Sequence, residues 1–247
     1  MIEDLASANH LLIASDFDGT LAEIVEDPDL AAPLARSKRA LESLAELDGT
    51  TVAVISGRRR SDLVERFDHP GFVLIGEHGA DYGNSTGPES DGLASARVLV
   101  DAAVSATPRA RVEHKTRAVG FHYRAVADPT AIVEQLRREA SNIKGIKVVE
   151  GKMILELTDS SVDKGAALAE LRRSLGADRV VFMGDDLTDE TAFAVLQNGD
   201  VGVHVGSGPT LANVTVADPT ALADFLERLL SARVAGGRSL DADVPLT

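Results

Sequence analysis

The chain contains no cysteine and no tryptophan, and aromatic residues make up only 4% of its 247 residues. The absence of cysteine excludes disulfide bonds, thiolate zinc sites and thiol catalysis. A core must therefore be built from Leu, Val, Ile and Ala. No apolar run approaches the length that a membrane span needs, and the first residues lack the basic segment of a signal peptide. We expect a cytoplasmic protein.

Positive charge is also scarce, since the chain has 25 Lys and Arg residues against 39 Asp and Glu residues and its formal net charge is −14. This balance argues against nucleic acid or an anionic membrane as a partner, because both require basic patches. A phosphorylated substrate would be repelled at long range. Any phosphate site must therefore supply its own positive charge.

Short apolar runs that end in small or polar residues recur along the chain. They cover residues 11–16, 51–56, 72–76, 180–184 and 201–205. Near-continuous Val/Ile/Leu runs of this length predict strands of a parallel sheet that is covered on both faces. Helical patterns lie between them, and two of these begin at Asp163 and at Asp218-Pro219. Alternating strands and helices indicate a doubly wound α/β domain, which binds ligands at the carboxyl ends of its strands.

The middle of the chain has a different pattern. Residues from 85 to Gly92 form a predicted loop, and from about Arg109 to Thr158 apolar and polar residues alternate as in strands with one charged face. The alternation places Val119, Phe121, Tyr123 and Ala125 on one predicted strand face, and Met153, Leu155 and Leu157 on another. A helix is predicted to start at Asp128-Pro129. We therefore expect an α+β lobe with an antiparallel sheet at residues 85–158, inserted into a discontinuous α/β domain of residues 1–84 and 159–247. The function of residues 232–247 is left open, and the stretch from Val234 to Thr247 is expected to be a loose tail.

The segment Asp16-Phe17-Asp18-Gly19-Thr20 directly follows the first buried strand. Burying two neighbouring carboxylates is costly unless a cation, a positive side chain or water compensates them. The simplest interpretation is a metal-assisted site in which one Asp attacks or transfers a proton. A turn chosen for backbone reasons, or the metal-binding DxD of a nucleotide-sugar transferase, are the alternatives.

Three further features fall at strand ends or helix starts: Ser56-Gly57-Arg58, Lys164, and the run from Gly184 to Asp189. A lysine in the first turn of a helix is mildly unfavourable unless an anion lies nearby, although a surface lysine is the alternative. Asp185 follows a strand directly and is well placed for a metal ion. For Asp186 and Asp189, metal ligation and helix capping both remain open. In a parallel sheet, the first Asp pair, Ser56 and Asp185 should meet at one edge.

Taken in order, these motifs resemble the haloacid dehalogenase-like phosphatases. Further stretches are similar to the trehalose-6-phosphate phosphatases: Gly76-Glu77-His78-Gly79-Ala80, Glu113-x-Lys115, His122-Tyr123-Arg124, Lys152 to Glu156, and Gly184 to Glu190. The resemblance extends from about Leu11 to Leu230. It implies a Rossmann-like core with a parallel sheet and helices on both faces, and an inserted α+β cap of the C2 type with an antiparallel sheet.

The resemblance also implies roles for individual residues. Asp16 would be the nucleophile that forms an aspartyl-phosphate, and Asp18 the general acid and base. Ser56 would bind the phosphoryl group, and Lys164 would neutralise charge. Mg²⁺ would be held by Asp16, by the main-chain carbonyl of Asp18 and by Asp185.

The same resemblance gives the lobe a role in sugar recognition, because its charged face offers both donors and acceptors. The candidate substrate-binding residues are Glu77, His78, Glu113, Lys115, His122, Arg124, Lys152 and Glu156. A solvated sheet face with cross-strand ion pairs is the alternative interpretation of the lobe.

The activity expected from this resemblance is Mg²⁺-dependent hydrolysis of trehalose 6-phosphate by a monomer. The alternatives are the same chemistry on sucrose or mannosylglycerate phosphates, a metal-dependent glycosyltransferase, and a non-catalytic sugar-phosphate sensor.

Overall fold

The computed structural model describes residues 1–82, 90–151 and 153–236. The chain divides into two compact units. The first is formed by Met1–Gly79 with Asp163–Thr247, and the second by Ala80–Val162. The predicted domain boundary between residues 84 and 85 lies outside the described residues.

The strands of the described residues are β1 (Leu11–Ser15), β2 (Thr50–Ile55), β3 (Phe72–Ile75), β4 (Arg111–His114), β5 (Ala118–His122), β6 (Ile146–Gly151), β7 (Ile154–Asp159), β8 (Arg179–Gly184), β9 (Val201–Val205) and β10 (Val214–Val216). The α-helices are α1 (Ile2–Ala6), α2 (Ala35–Ala45), α3 (Arg60–Arg66), α4 (Asp91–Ala106), α5 (Thr130–Ala140), α6 (Lys164–Leu175), α7 (Glu190–Phe193) and α8 (Pro219–Ala235). Short 3₁₀ turns cover Pro28–Leu30 and Glu77–Gly79.

A six-stranded sheet in the order β10-β9-β8-β1-β2-β3 forms the centre of the first unit. All neighbouring strands are parallel, and Ser15 lies opposite Val54 on one side and Met183 on the other. The carboxyl ends of β1, β2 and β8 therefore meet at one edge. The predicted parallel α/β fold is confirmed.

The two faces of this sheet are covered by different helices. Alternate strand residues such as Ile13 and Val181 pack with Leu41 of α2 and Phe225 of α8 in one core cluster. On the other face, the ring of Phe182 meets Phe193 of α7 at a centroid distance of 5.4 Å. Full burial on both faces explains why these strands have continuous apolar sequences.

The predicted starts of α6 and α8 are confirmed by their caps. The side chain of Asp163 accepts the N–H of Ala166, and the side chain of Asp218 accepts the N–H of Ala221. Pro219 occupies the first turn of α8, where no N–H is needed.

The second unit contains a four-stranded antiparallel sheet in the order β4-β5-β7-β6. Val119, Phe121, Leu155 and Leu157 are fully buried against helices α4 and α5, while the alternate residues of the same strands are polar or less buried. The predicted antiparallel sheet with one apolar and one charged face is confirmed.

Two details of the predicted lobe are wrong. Asp91 and Gly92 belong to α4 and not to a loop, because Ser90 caps this helix by accepting the N–H of Leu93. Strand β5 ends at His122, so Tyr123 and Ala125 do not continue its alternation.

The predicted alternation before β7 also differs from the structure. Strand β7 begins at Ile154, and Met153 has a left-handed φ of 67°, so Met153 lies in the turn and does not share a strand face with Leu155. Lys152 lies outside the described residues.

In the part of the chain that the structure describes, no helix combines the length and the apolar composition of a membrane span.

Candidate active site

Three carboxylates meet at the carboxyl edge of the parallel sheet. Asp16 follows β1 and donates its N–H to the carbonyl of Met183 at 2.8 Å, while Asp185 follows β8. Asp16, Asp185 and Asp189 each place one carboxylate oxygen within 4.8 Å of the others. The structure thus brings Asp16 and Asp185 together, as the order of strands and motifs predicted.

Lys164 supplies the positive charge of this cluster. Its side chain is 2% exposed, and its Nζ lies 2.9 Å from Asp16 Oδ1 and 2.8 Å from Asp189 Oδ1. Lys164 is the first residue of α6, where the helix macrodipole disfavours a cation. Two neighbouring carboxylates remove that objection, so the surface-lysine alternative is wrong.

Asp189 connects the parts of the site. Its Oδ1 accepts a hydrogen bond from Lys164, and its Oδ2 accepts the N–H groups of Asp185 and Asp186 at 3.0 and 3.1 Å. Because protein donors engage both oxygens, this geometry favours a positioning role over metal ligation. Asp186 Oδ1 accepts the N–H and the hydroxyl of Thr188 and so caps the turn ahead of α7, whose own N-cap is Asp189.

Burial controls the protonation of these groups. It raises the pKa of Asp16 to about 6 and the pKa of Asp185 to about 6. Burial and the neighbouring Asp16 raise the pKa of Asp189 to about 7. Burial alone would lower the pKa of Lys164, but Asp16 and Asp189 raise it above its ordinary value.

The cluster is chemically suited to a divalent cation. Three carboxylates and one ammonium group leave an excess of negative charge in a buried place when all are ionised. Carboxylate oxygens are the ligands that Mg²⁺ prefers. The side chains of Asp16 and Asp185 therefore fit a magnesium ion, which would offset the charge that burial makes costly.

The glycine of the first motif is required by close packing. Gly19 has a φ of 78°, and a Cβ there would lie 2.1 Å from Asp185 Oδ2. Thr20 donates its hydroxyl to Asp185 Oδ1 at 3.1 Å. The sequence Gly19-Thr20 thus brings the first motif against the carboxylate that follows β8.

Asp18 lies in a separate arrangement that the sequence analysis missed. Arg58 donates its Nε to Asp18 Oδ2 at 2.7 Å and its Nη2 to Asp18 Oδ1 at 2.6 Å. Arg58 also donates to the carbonyl of Pro28 at 2.7 Å, and its guanidinium lies 5.1 Å from the centroid of the Phe17 ring. The hydrogen bond to Asp18 raises the pKa of Arg58. The only sequence signal for this pair was the Ser56-Gly57-Arg58 motif.

Ser56 is buried at the end of β2, beside the edge that carries Asp16. Its N–H donates to the carbonyl of Ile75 at 3.0 Å, and its Oγ accepts the N–H of Arg58 at 3.2 Å. Glu77 and His78 lie in the 3₁₀ turn after β3, in the same unit.

Within the lobe, four of the predicted sugar-binding residues form two contacts across the sheet, one ion pair and one hydrogen bond between a histidine and a carboxylate. Lys115 Nζ lies 2.5 Å from Glu156 Oε2, and His122 Nε2 lies 2.9 Å from Glu113 Oε2. Arg124, Glu113 and His122 line a cavity of about 410 Å³. The cross-strand pairs of the alternative interpretation are therefore present, together with a cavity beside one of them.

Comparison with known proteins identifies one family. A family model described as trehalose-phosphatase matches residues 14–224. The trehalose-phosphate phosphatase of Mycobacterium avium (strain 104) is 36% identical over 250 residues, covering 92% of this chain and 63% of that protein. The chain therefore spans less than two thirds of the length of that relative.

Solved structures show the same fold. The trehalose-6-phosphate phosphatase of Aspergillus fumigatus has a TM-score of 0.71 at 25% identity, covering 93% of this chain and 96% of that one. A haloacid dehalogenase-like hydrolase from Bacteroides thetaiotaomicron has a TM-score of 0.70 at 15% identity, covering 89% and 99%. The second likeness concerns the fold alone.

Proposed function

Since the chain belongs to the trehalose-phosphatase family, we propose that it hydrolyses trehalose 6-phosphate to trehalose and phosphate through an aspartyl-phosphate intermediate. The observation that carries the proposal is the buried contact of Lys164 with Asp16 at the carboxyl edge of the sheet. A buried carboxylate beside a fixed cation can act as a nucleophile towards phosphorus while the cation offsets the charge of the incoming phosphoryl group.

In the first step, a carboxylate oxygen of Asp16 forms a bond to phosphorus as the bond between phosphorus and the sugar oxygen breaks. Asp18 gives a proton to the leaving sugar oxygen. In the second step, Asp18 takes a proton from a water whose oxygen forms a bond to phosphorus, while the bond between phosphorus and the Asp16 oxygen breaks and inorganic phosphate is released. Ser56 donates its hydroxyl to the phosphoryl group, and Lys164 balances the charge that this group shares with Asp16.

The pairing of Asp18 with Arg58 is compatible with the base step, and the acid step requires the pair to open on one side. Each carboxylate oxygen that accepts one N–H from Arg58 still has a lone pair for a water or a hydroxyl group. Proton donation to the sugar requires the carboxyl group to give up one of these two hydrogen bonds.

A magnesium ion completes the proposed chemistry. The carboxylates of Asp16 and Asp185 and the main-chain carbonyl of Asp18 are the oxygen donors that we propose for Mg²⁺, which when bound supplies positive charge for the phosphoryl group.

The substrate assignment relies on the lobe and on the family. Glu113, His122 and Arg124 beside the cavity, together with the pair of Lys115 and Glu156, offer donors and acceptors for sugar hydroxyls. Glu77, His78 and Lys152 are part of the same proposal. We also expect a cytoplasmic monomer, which cell fractionation and size-exclusion chromatography would check.

The decisive experiment measures phosphate release from a panel of sugar phosphates, with Mg²⁺ and with a chelator. We expect trehalose 6-phosphate to be turned over fastest, and activity to be lost with the chelator. Faster turnover of sucrose or mannosylglycerate phosphates would instead assign the same chemistry to another sugar.

A variant of the nucleophile tests the mechanism independently. Asp16→Asn should abolish turnover while the substrate still binds, because Asn retains the shape of Asp but is a poor nucleophile. Unchanged turnover in this variant would exclude Asp16 as the nucleophile.

Binding of activated sugars without phosphate release would favour a glycosyltransferase, and binding of sugar phosphates without turnover in the native chain would favour a sensor.

A further inference from the structure

The turn after β3 has an unusual backbone conformation. Glu77 and His78 are consecutive residues with left-handed φ values of 51° and 57°. Neither is a glycine, and L-residues with a Cβ adopt this region at a cost in free energy. Strain of this kind persists where the surroundings impose it, and it is concentrated at functional sites.

The surroundings of the turn include the loop that carries Ser56. Glu77 donates its N–H to the carbonyl of Arg58, and His78 donates its N–H to the carbonyl of Ser56, both at 2.8 Å. Both bonds lie beyond the last paired residues of the two strands, Ile55 of β2 and Ile75 of β3. The left-handed backbone therefore aims two amide groups at the Ser56-Gly57-Arg58 loop.

The ring of His78 touches the same loop. A Cβ placed on Gly57 would lie 2.6 Å from both Cε1 and Nε2 of His78. The imidazole thus occupies the space that a side chain at residue 57 would need, so with a larger residue there either the ring or the loop would have to move.

The turn also contacts the start of α6 through its last residue. Gly79 has a φ of 109°, and a Cβ there would lie 2.8 Å from the carbonyl oxygen of Asp163. Asp163 is the N-cap of the helix whose first residue is Lys164. One short turn is therefore packed against the supports of two groups of the candidate active site, Ser56 and Lys164.

We propose that the left-handed Glu77–His78 turn is a positioning element, whose backbone fixes the Ser56-Gly57-Arg58 loop for phosphoryl transfer. This role adds to any contact of the two side chains with the sugar, and it rests on the proposed function. It predicts that the backbone conformation at residue 78 matters more than the imidazole.

A matched pair of substitutions separates the two contributions. His78→Asn and His78→Val both remove the imidazole, but Asn tolerates a left-handed backbone and β-branched Val does not. With a small aryl phosphate, which needs no sugar recognition, we expect His78→Asn to lose much less kcat than His78→Val, because Asn keeps the left-handed backbone. We expect His78→Val to lower kcat about 100-fold with little change in KM, because the reacting groups are misplaced.

Met153 provides the control for general destabilisation, since its φ of 67° is also left-handed. Met153→Val imposes the same backbone conflict in the turn between β6 and β7, and we expect its kcat to remain native. Equal losses in the two His78 variants would overturn the proposal and assign the effect to the imidazole.

A second variant keeps the proposal testable if His78→Val does not fold. Gly57→Ala places a methyl group against the His78 ring, and we expect kcat to fall at least about tenfold because the loop must shift. The double variant Gly57→Ala with His78→Asn should recover to the level of His78→Asn, since the obstructing ring is gone. Failure to recover would contradict the contact as the cause.

A readout that needs no catalysis distinguishes this proposal from the proposed function. Amide hydrogen exchange at residues 56–58, 77 and 78 should become faster in His78→Val than in His78→Asn or the native chain. Unchanged exchange would overturn the positioning role even if the protein is a phosphatase. Faster exchange in a protein that hydrolyses no phosphate ester would support the positioning role and reject the function.

Discussion

At the scale of single residues, Asp189 organises the candidate site. It is fully buried, and its carboxylate accepts hydrogen bonds from Lys164 and from the N–H groups of Asp185 and Asp186. A change at this residue would therefore displace the ammonium group of Lys164 and the backbone of Asp185 together. Neither Lys164 nor Asp185 would keep its present support.

Asp189→Asn tests this positioning role. The amide oxygen of Asn can keep one set of hydrogen bonds, but its NH₂ group must then face either Lys164 or backbone donors. We expect kcat for phosphate release to fall about 100-fold, because the reacting groups are misplaced. Magnesium affinity should fall as well, as titration calorimetry would show.

Asp186→Asn is the matched control for this prediction. An Asn oxygen can still accept the hydrogen bonds from Thr188 that Asp186 accepts now. We expect its loss of kcat to be at least about tenfold smaller than that of Asp189→Asn. Similar losses in both variants would contradict the distinction between an organising and a capping carboxylate.

The sequence could predict some of these contacts and not others. Asp16 and Asp185 each follow a continuous apolar strand, so a parallel sheet alone brings them to one edge. The pair of Asp18 and Arg58 depends on the path of two loops and on the Phe17 ring beneath the guanidinium. The pattern of apolar and polar residues in the sequence gives no information on either. The capping and ligand interpretations of Asp189 could be compared only once its partners were located.

At the scale of secondary-structure elements, helix α8 is attached to the first unit by a buried arginine. Arg233 is fully buried and donates to the carbonyls of Leu5, Ala6, Ala8, Asp48 and Gly49. Two of these carbonyls belong to the last residues of α1, one follows α1, and two lie between α2 and β2. Arg233 therefore joins three segments that are distant in sequence.

Arg233→Met should lower the free energy of unfolding by about 3 kcal/mol, because several buried carbonyls lose their donors. Urea denaturation would show this as a lower midpoint with an unchanged slope. The control is Arg228→Met on the exposed side of the same helix, which should change stability by less than about 0.5 kcal/mol. Equal effects of the two substitutions would show that the buried guanidinium adds no stability of its own.

The lobe gives a prediction about specificity at the same scale. Glu156 is paired with Lys115 and accepts the hydroxyl of Thr158 at 3.2 Å. If this charged face binds sugar hydroxyls, Glu156→Ala should lower kcat/KM for trehalose 6-phosphate about 100-fold but leave a small aryl phosphate almost unaffected. Both values can be measured by phosphate release.

Glu150→Ala is the control on the neighbouring strand, since Glu150 is exposed and forms an ion pair with Arg137. We expect it to change neither substrate's kcat/KM. If Glu156→Ala lowers both substrates equally, the pair of Lys115 and Glu156 only stabilises the lobe, as the alternative interpretation of a solvated sheet face holds.

The elements that the sequence missed share a physical cause. Helix α4 buries two alanines, Ala96 and Ala103, along with Leu93 and Val100, so its apolar face is weak in sequence although it packs fully. Strand β10 has three residues and lies at the sheet edge, where no continuous apolar run is needed. The strands buried on both faces were predictable because burial on both faces requires apolar residues throughout.

At the scale of the whole molecule, the acidic cluster connects stability to pH and to a divalent cation. Burial raises the pKa values of Asp16 and Asp185 to about 6, above those of an unfolded chain. Without a cation, the folded state therefore retains protons that the unfolded state releases between about pH 4 and 6. The contribution of these two groups to stability is full below pH 4 and is lost as the pH rises through 6.

A bound divalent cation should change this dependence, because it requires both carboxylates in their ionised form. The rise in melting temperature on adding Mg²⁺ should therefore be larger at pH 8 than at pH 5, which calorimetry can measure at both pH values.

Asp185→Asn removes one ligand and one buried charge, so it should abolish most of the Mg²⁺-induced rise. The same variant should stabilise the metal-free protein at pH 8 by about 2 kcal/mol, because a rise of about two pKa units corresponds to about 3 kcal/mol and solvent screening of this half-buried carboxylate reduces that figure. An equal Mg²⁺ effect at both pH values, or an undiminished effect in Asp185→Asn, would place the cation somewhere other than this cluster.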